Sequence, residues 1–311
     1  MPDEPKLNKP WMVAVWPGMG HVAVSAGYYL MAKLGMHGLA EFSPREIFDI
    51  DHVEVKAGLI KAGRLPRSRL FVWDDPKKER DLVVFIGEAQ PPTGRYLFSR
   101  RLVEYAQQLG VERIYTFAAM ATQMHPEHAP RVFTAATSEE LITQLRQEEV
   151  VILETGQISG LNGVLLGVAA EMGLHGACLL GEMPHLFAQF PFPAASLSVL
   201  KAFGKMAHIE IDLDELSQQA DEMGKRLGEI LANLEQKIKE HGQAEQEEPE
   251  FSVQPEEEPR ISATDERRIE RLFEKAREDR SKAYELKGEL DRLGVFDLYE
   301  DRFLDLFKKP D

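Results

Sequence analysis

Residues 11–34, WMVAVWPGMGHVAVSAGYYLMAKL, decide the fold. The run from Trp11 to Trp16 is apolar throughout and short, the pattern of one buried strand. Pro17 breaks the ladder because it has no N–H to give, and Gly18 and Gly20 let the backbone turn where a side chain would clash. From His21 onward Val22, Ala26, Tyr29, Leu30 and Leu34 recur at helical spacing, so a helix leaves directly from the turn. Strand, glycine turn and helix in succession open an α/β domain. The same turn aims backbone N–H groups and the positive helix end at one spot, which suits an anion or a polar partner group.

That turn has two readings. Gly18-Met19-Gly20-His21-Val22-Ala23 fits the loose G-x-G-x-x-G/A dinucleotide pattern, and Glu41 closes the next apolar run, near where a ribose-binding carboxylate would sit. Against it, Pro17 stands directly before the first glycine, and a lone match to so short a pattern is common by chance. A tight turn that binds nothing accounts for the same residues.

Downstream the rhythm repeats. Residues 38–42, 47–55 and 69–73 read as short extended pieces, and LVVFIG at 82–87 as the central strand. The loop 88–94, EAQPPTG, lies at its carboxyl end, and a helix striped by Leu97, Leu102, Val103, Ala106 and Leu109 stops at Gly110. Strands at 111–118, 131–135, 150–153 and 175–180 then alternate with helices at 138–146, 160–172 and 194–207. Such alternation predicts a mainly parallel sheet with helices on both faces. The working surface is expected at the carboxyl ends of the strands, at 17–21, 88–94, 119–128 and 154–159, and from 181 to 193.

From Asp212 the character changes. Leu213, Leu216, Ala220, Met223, Leu227, Ile230, Leu234 and Ile238 form a heptad-like stripe, expected to pack on its own domain, with Asp212 and Glu215 spaced as a capping box. Residues 242–260 are acidic and proline-bearing with few large apolar side chains, so they read as a linker. A stripe resumes over 262–293, Gly294 stops it, and 296–307 makes a shorter amphipathic helix. An isolated helix pair is marginal, so these helices are expected to dock on the main domain or on a partner.

A net charge of −15 argues against nucleic acid, whose phosphates call for a basic face, and against anionic membranes. The single cysteine, Cys178, excludes an internal disulfide and a cysteine-based zinc cluster. MPDEPKLNKP has no apolar signal core and no run approaches a membrane span, which predicts a cytoplasmic protein.

No G-x-S-x-G nucleophile elbow and no P-loop string occurs. His125, Glu127 and His128 could chelate zinc, but Pro126 interrupts a regular helix and no third ligand is near in sequence, so a solvated loop is the reading and no metal is expected. Gly156, Gly160, Gly163 and Gly167 read either as an anion nest on a helix or as glycines that let the helix lie close to the sheet. Gln157 and Asn162 are the polar groups best placed there, while Glu88 and Gln90 sit at a strand end where a catalytic acid would be useful. In MPHLFAQFPFP, 183–193, the large residues Met183, Phe187, Phe190 and Phe192 either close one edge of the core or form an apolar contact surface. No acid–base pair can be assigned from spacing, so no catalytic residue and no cofactor are named.

Three stretches in order, WPGMGHVAVSAGYYL (16–30), VVFIGEAQP (83–91) and ISGLNGVLLGVAAEMGLHGACLLGEMP (158–184), resemble the PAC2 family, which includes relatives of proteasome assembly chaperone 2. The similarity covers about residues 11–240. It implies an α/β domain of three layers, α/β/α, with a mainly parallel sheet like that of nucleoside phosphorylases, self-assembling into trimers or tetramers. With the composition and stripes read above, the expected domain organisation is 11–241 for that domain, 242–261 for an acidic linker and 262–309 for a C-terminal helical segment, which lies outside the region of resemblance. Pro17, Gly18, Met19, Gly20 and His21, with Gly87, Glu88 and Gln90 and with Gly160, Asn162 and Gly163, form the candidate cleft. Chaperones that dock in proteasome pockets often end in a hydrophobic–tyrosine–any-residue tail, whereas 306–311 reads LFKKPD, so docking is not expected through that segment. The expected function is a non-enzymatic assembly chaperone or scaffold that binds itself and partner proteins, proteasome subunits or another assembly among them. The alternative is an enzyme acting on a nucleoside or phosphate-bearing small molecule, its phosphate held by the first turn and its chemistry recruited from Arg95, His21 and Glu88.

Overall fold

The computed structural model describes residues 6–42, 47–48, 53–56, 58–61, 65–240 and 262–308. In chain order these form β1 (Trp11–Val15), a 3₁₀ turn (Met19–His21), α1 (Val22–Lys33), β2 (His37–Phe42), β3 (Glu54–Lys56), β4 (Leu59–Lys61), β5 (Ser68–Trp73) and β6 (Leu82–Gly87). Then come α2 (Arg95–Gln108), β7 (Arg113–Thr122), β8 (Val132–Ala136), α3 (Glu139–Leu145), β9 (Val151–Ile152), α4 (Gly160–Glu171) and β10 (His175–Pro184). The helices α5 (Pro193–Ala207), α6 (Asp214–Glu240), α7 (Ala263–Glu278), α8 (Ala283–Arg292) and α9 (Phe296–Asp305) follow. The expected linker at 242–261 lies outside the described residues, as do residues 49–52 of the extended piece expected at 47–55.

The main sheet has eight strands in the order β2-β5-β6-β1-β7-β10-β8-β9. Its centre, β6-β1-β7-β10, is parallel, as the alternation predicts; β5 and β8 run against it, which makes the sheet mixed. Every residue of β1 is buried because both faces are covered. Trp11, Val13 and Val15 enter one core, built with α1, α5 and α6. Met12, Ala14 and Trp16 enter the other, built with α2 and α4. These are the three layers.

β7 and β10 run four residues beyond their expected ends and pair along their whole length, from His175 opposite Arg113 to Pro184 opposite Thr122. Gly181 and Pro184 read as loop in sequence, yet both fit a strand that is already held on its neighbour. In α6, Leu216, Ala220 and Leu227 are buried, but Ile230 and Leu234 are 44% and 48% exposed, so the end of the stripe leaves the body of the domain. The capping box does not form. The Asp212 carboxylate accepts from the Asp214 N–H at 3.1 Å, while Glu215 pairs with Lys33 of α1 at 2.8 Å.

The helix expected over 262–293 is two helices. Asp279 is extended, ends α7 and accepts from the Ser281 N–H at 2.9 Å. The polar run 277–282, REDRSK, has no apolar side chain to carry the stripe across that point. Helices α7 to α9 bury Phe273, Leu286, Leu290 and Phe303, and the turn after α9 buries Phe307, in the core that contains α1. Tyr29 meets Tyr284 edge-on at 4.5 Å, and Tyr28 donates to Glu300 at 3.1 Å. Burial, then the Glu300 charge, pushes the Tyr28 phenol well above its ordinary range. The Phe307 carbonyl accepts from the Gly38 N–H at 2.7 Å, tying this helical segment to β2, a terminal strand of the sheet.

A candidate contact surface at the carboxyl edge of the sheet

The central parallel strands deliver 17–21, 88–94 and 185–192 to one edge, as expected. The segment 154–159 differs: β9 is parallel to β8, which is antiparallel to β10, so it leaves its strand at the opposite side. It rejoins the edge only at Gly160, beside Gln90.

The first turn is closed. Gly20 (φ 60) and His21 (φ 51) are both left-handed, a conformation that costs a non-glycine residue about 1 kcal/mol. A Cβ at Gly20 would stand 2.8 Å from the Met183 sulfur. Gly18 is extended with open space around it, so the reason given for glycine from sequence applies only at Gly20. The Gly20 N–H donates to the Ala188 carbonyl at 2.8 Å, and its carbonyl accepts from the Phe192 N–H at 2.9 Å. Those two bonds stitch the turn to the 188–192 segment, and the Gly20 N–H is not free for an anion.

Gln90 joins two of the expected cleft motifs. Its amide donates to the Pro17 carbonyl at 3.4 Å, and its oxygen accepts from the Leu161 N–H at 3.0 Å, at the start of α4. The left-handed backbone at Gly160 (φ 70) favours glycine, and a Cβ there would sit 2.6 Å from that Gln90 oxygen and displace the side chain. Gly163 lies against the Ile158 carbonyl and Gly87 beneath the Trp16 indole, so these glycines serve packing with loop and core. The Asn162 carbonyl accepts from the Thr116 hydroxyl at 3.1 Å. Glu88 is engaged elsewhere: it accepts from the Arg67 N–H at 2.8 Å and faces the Arg67 and Arg69 guanidiniums, which also pair with Asp301 of α9. Arg95 donates back to the Pro91 carbonyl at 3.3 Å. Of the three groups that a phosphorylase-like reaction would recruit, Glu88 and Arg95 are thus held by local partners. Glu41 lies on β2, with β5 and β6 between it and β1, whereas the ribose carboxylate of a dinucleotide site follows the strand beside β1.

The aromatic stretch divides. Met183, Phe187 and Phe192 are buried at 0%, 6% and 1% exposure, so of the two readings they take the first, closing the core, and as candidate interface residues they are corrected. Phe190 alone of that set is exposed, at 47%, and Leu186 (56%) and Met19 (45%) are exposed on the segments that the Gly20 bonds hold together. His21, His185 and Gln189 are exposed on the same segments; Leu186 was hidden in sequence among the phenylalanines, and Met19 within a turn read for its glycines.

One site escaped sequence reading altogether. Glu182, 3% exposed within β10, accepts from the Arg131 guanidinium at 2.9 Å and from the Thr122 hydroxyl at 2.9 Å. The Arg131 bonds, outweighing burial, hold its carboxyl down to about 2. An acid inside the apolar run LLGEMP was the available signal. The 125–128 loop packs on α6, where a Cβ at Gly224 would stand 3.2 Å from the Pro126 carbonyl. Among the described residues no group of three or more His, Cys, Asp or Glu could hold a metal ion, and no helix is long and apolar enough to cross a membrane.

Known proteins with this architecture agree on its kinship. An uncharacterised protein of Methanocaldococcus jannaschii is 26% identical over 244 residues, covering 76% of this chain and 89% of that protein. The structure of Pyrococcus furiosus PbaB, described as an archaeal proteasome activator, is similar at a TM-score of 0.61 and 28% identity, covering 75% of this chain and 96% of that one. A PAC2 family protein of Streptomyces avermitilis superposes at 0.62 with 24% identity, over 71% of this chain and 95% of that one. Residues 12–231 match the PAC2 family, and the chain belongs to it.

Proposed function

We propose that this protein is a non-enzymatic assembly factor: it self-associates, and through the rim of Met19, Leu186 and Phe190 it holds a partner protein, for which a proteasome subunit is the first candidate. The observation that carries this reading is the closed Gly20 turn. Its N–H is bonded to Ala188 and its space is filled by Met183, while the same segment turns Leu186 and Phe190 outward. A turn that binds phosphate leaves its N–H groups free; here the Gly20 N–H is bonded to backbone, and Met19, Leu186 and Phe190 stand exposed beside it. The PAC2 membership and the likeness to an archaeal proteasome activator support the choice of partner.

Co-sedimentation with a purified 20S proteasome core particle tests it. The wild-type protein is expected to sediment with the particle, and Leu186→Ser with Phe190→Ser to stay behind while melting at the wild-type temperature. Binding left intact in that double variant contradicts the assignment of the rim.

A further inference from the structure

Cations that rest on aromatic rings in this chain also hold carboxylates. Lys33 lies over Tyr29 and pairs with Glu215 at 2.8 Å, and Lys287 lies over Tyr28 and Phe296 and pairs with Asp291 at 2.6 Å. Arg131 lies over Phe133 and holds Glu182 at 2.9 Å, and Arg302 lies over Phe273 and holds Glu270.

The stack on Trp11 departs from that pattern. Arg80 lies 3.7 Å over the Trp11 ring, and Arg113 lies 5.1 Å from the centre of the same ring. Arg113 donates to the Gln144 amide oxygen at 2.9 Å, and neither guanidinium forms an ion pair among the described residues. The Arg80 Nε is buried without an acceptor. Burial, then the Arg113 charge, pulls the Arg80 guanidinium below its ordinary value, while the Glu112 and Glu79 charges oppose that shift without pairing.

The loop before β6 holds Arg80 in this position. Asp75, itself buried, accepts from the N–H groups of Lys77, Glu79 and Arg80 at 2.9, 2.7 and 3.1 Å. Asp81, also buried, accepts from the Asp75 N–H at 3.0 Å and from the Asn8 N–H at 2.7 Å. Beneath the stack Trp11 meets Tyr115 at 5.1 Å and Tyr115 meets Phe203 at 5.5 Å, so the ring is backed by packed core. Two like charges held beside one buried ring cost free energy that an anion shared between them offsets.

We infer that Arg80 and Arg113 form a binding site for a carboxylate supplied from outside the chain. The site lies at the amino ends of β1, β6 and β7, the edge opposite Met19, Leu186 and Phe190, and does not rest on their role. A carboxylate matches the planar fork of a guanidinium, and it is the group that the other stacks hold. Glu79 and Glu112 disfavour the second charge of a phosphate. Such a carboxylate belongs either to a small organic acid or to an acidic side chain of a bound protein.

Calorimetric titration of the full chain at low ionic strength, with succinate, with a capped tetraglutamate peptide and with inorganic phosphate, tests the site. Saturable binding of a carboxylate probe is expected, weakened about tenfold or more in Arg80→Gln and in Arg113→Gln, each checked for wild-type thermal melting. Leu186→Ser with Phe190→Ser is expected to bind the probe as wild type does. Arg80→Lys keeps the stem and the charge but loses the fork, so it is expected to bind between wild type and Arg80→Gln, and it carries the test where the glutamine variant fails to fold. Independently, the probe is expected to change tryptophan emission in the wild type and not in Trp11→Phe. Succinate binding as tightly as the peptide assigns a small acid; tighter peptide binding assigns a protein side chain. No saturable binding of either carboxylate, or binding unchanged in both glutamine variants, overturns the site, and phosphate bound as tightly as the carboxylates overturns the choice of ligand.

Discussion

Phe190 and Phe192 stand two residues apart in one proline-rich stretch, yet Phe192 is 1% exposed and Phe190 47%. The same contrast separates Gly20, pinned between Met183 and two backbone bonds, from Gly18, which has open space around it. The inner members of each pair close the carboxyl edge of the sheet, and the outer members leave it apolar where it meets solvent. In this molecule the edge where α/β enzymes place their chemistry packs Met183, Phe187 and Phe192 inward and leaves Met19, Leu186 and Phe190 exposed.

Truncation is the strongest way to break that contrast. Phe192→Ala is expected to cost about 3–5 kcal/mol in urea unfolding, as for other buried phenylalanines, and Phe190→Ala to fall within about 0.5 kcal/mol of wild type. Similar costs at both positions would show that the stretch is one packed unit. Next comes the buried acid of β10. Glu182 has its carboxyl depressed to about 2 by Arg131, so its stabilisation is full above the ordinary carboxylate range and is lost as pH falls through about 4 toward 2. That loss is worth about 2–3 kcal/mol, and Glu182→Gln is expected to flatten the acid limb of the stability curve. An unchanged acid limb in that variant would mean that the pair contributes nothing.

A smaller effect separates the glycines: Gly20→Ala is expected to destabilise by about 1–2 kcal/mol because a Cβ meets Met183 in a left-handed backbone, and Gly18→Ala by far less. Last, burial pushes the Cys178 thiol up to about 12. It is expected to resist alkylation in the native protein and to react once the chain unfolds; fast native labelling would show that this part of the core opens.

Much of the centre was legible because β1 and β6 are apolar on both faces and α1 and α2 carry helical stripes. Strand order was not, since nothing in residues 68–73 announces that β5 runs antiparallel between β2 and β6. The break at Asp279 was missed because Ala276 and Ala283 keep heptad spacing across a polar gap. The candidate cleft was legible as loops sharing an edge; how Gly20 bonds to Ala188 was not, because that contact joins segments remote in sequence. Three phenylalanines of one chemistry, in one short run, could not be sorted into inside and outside without the strand that positions them.

A Gly20 turn that serves contact with protein has no use for a small anion or a nucleoside. Calorimetric titration of the full chain with inorganic phosphate, a purine nucleoside and NAD separates the two uses. No saturable heat is expected from any of them. A ligand that binds more tightly than about 100 μM, roughly 5.5 kcal/mol, and whose heat disappears in His21→Ala would contradict it.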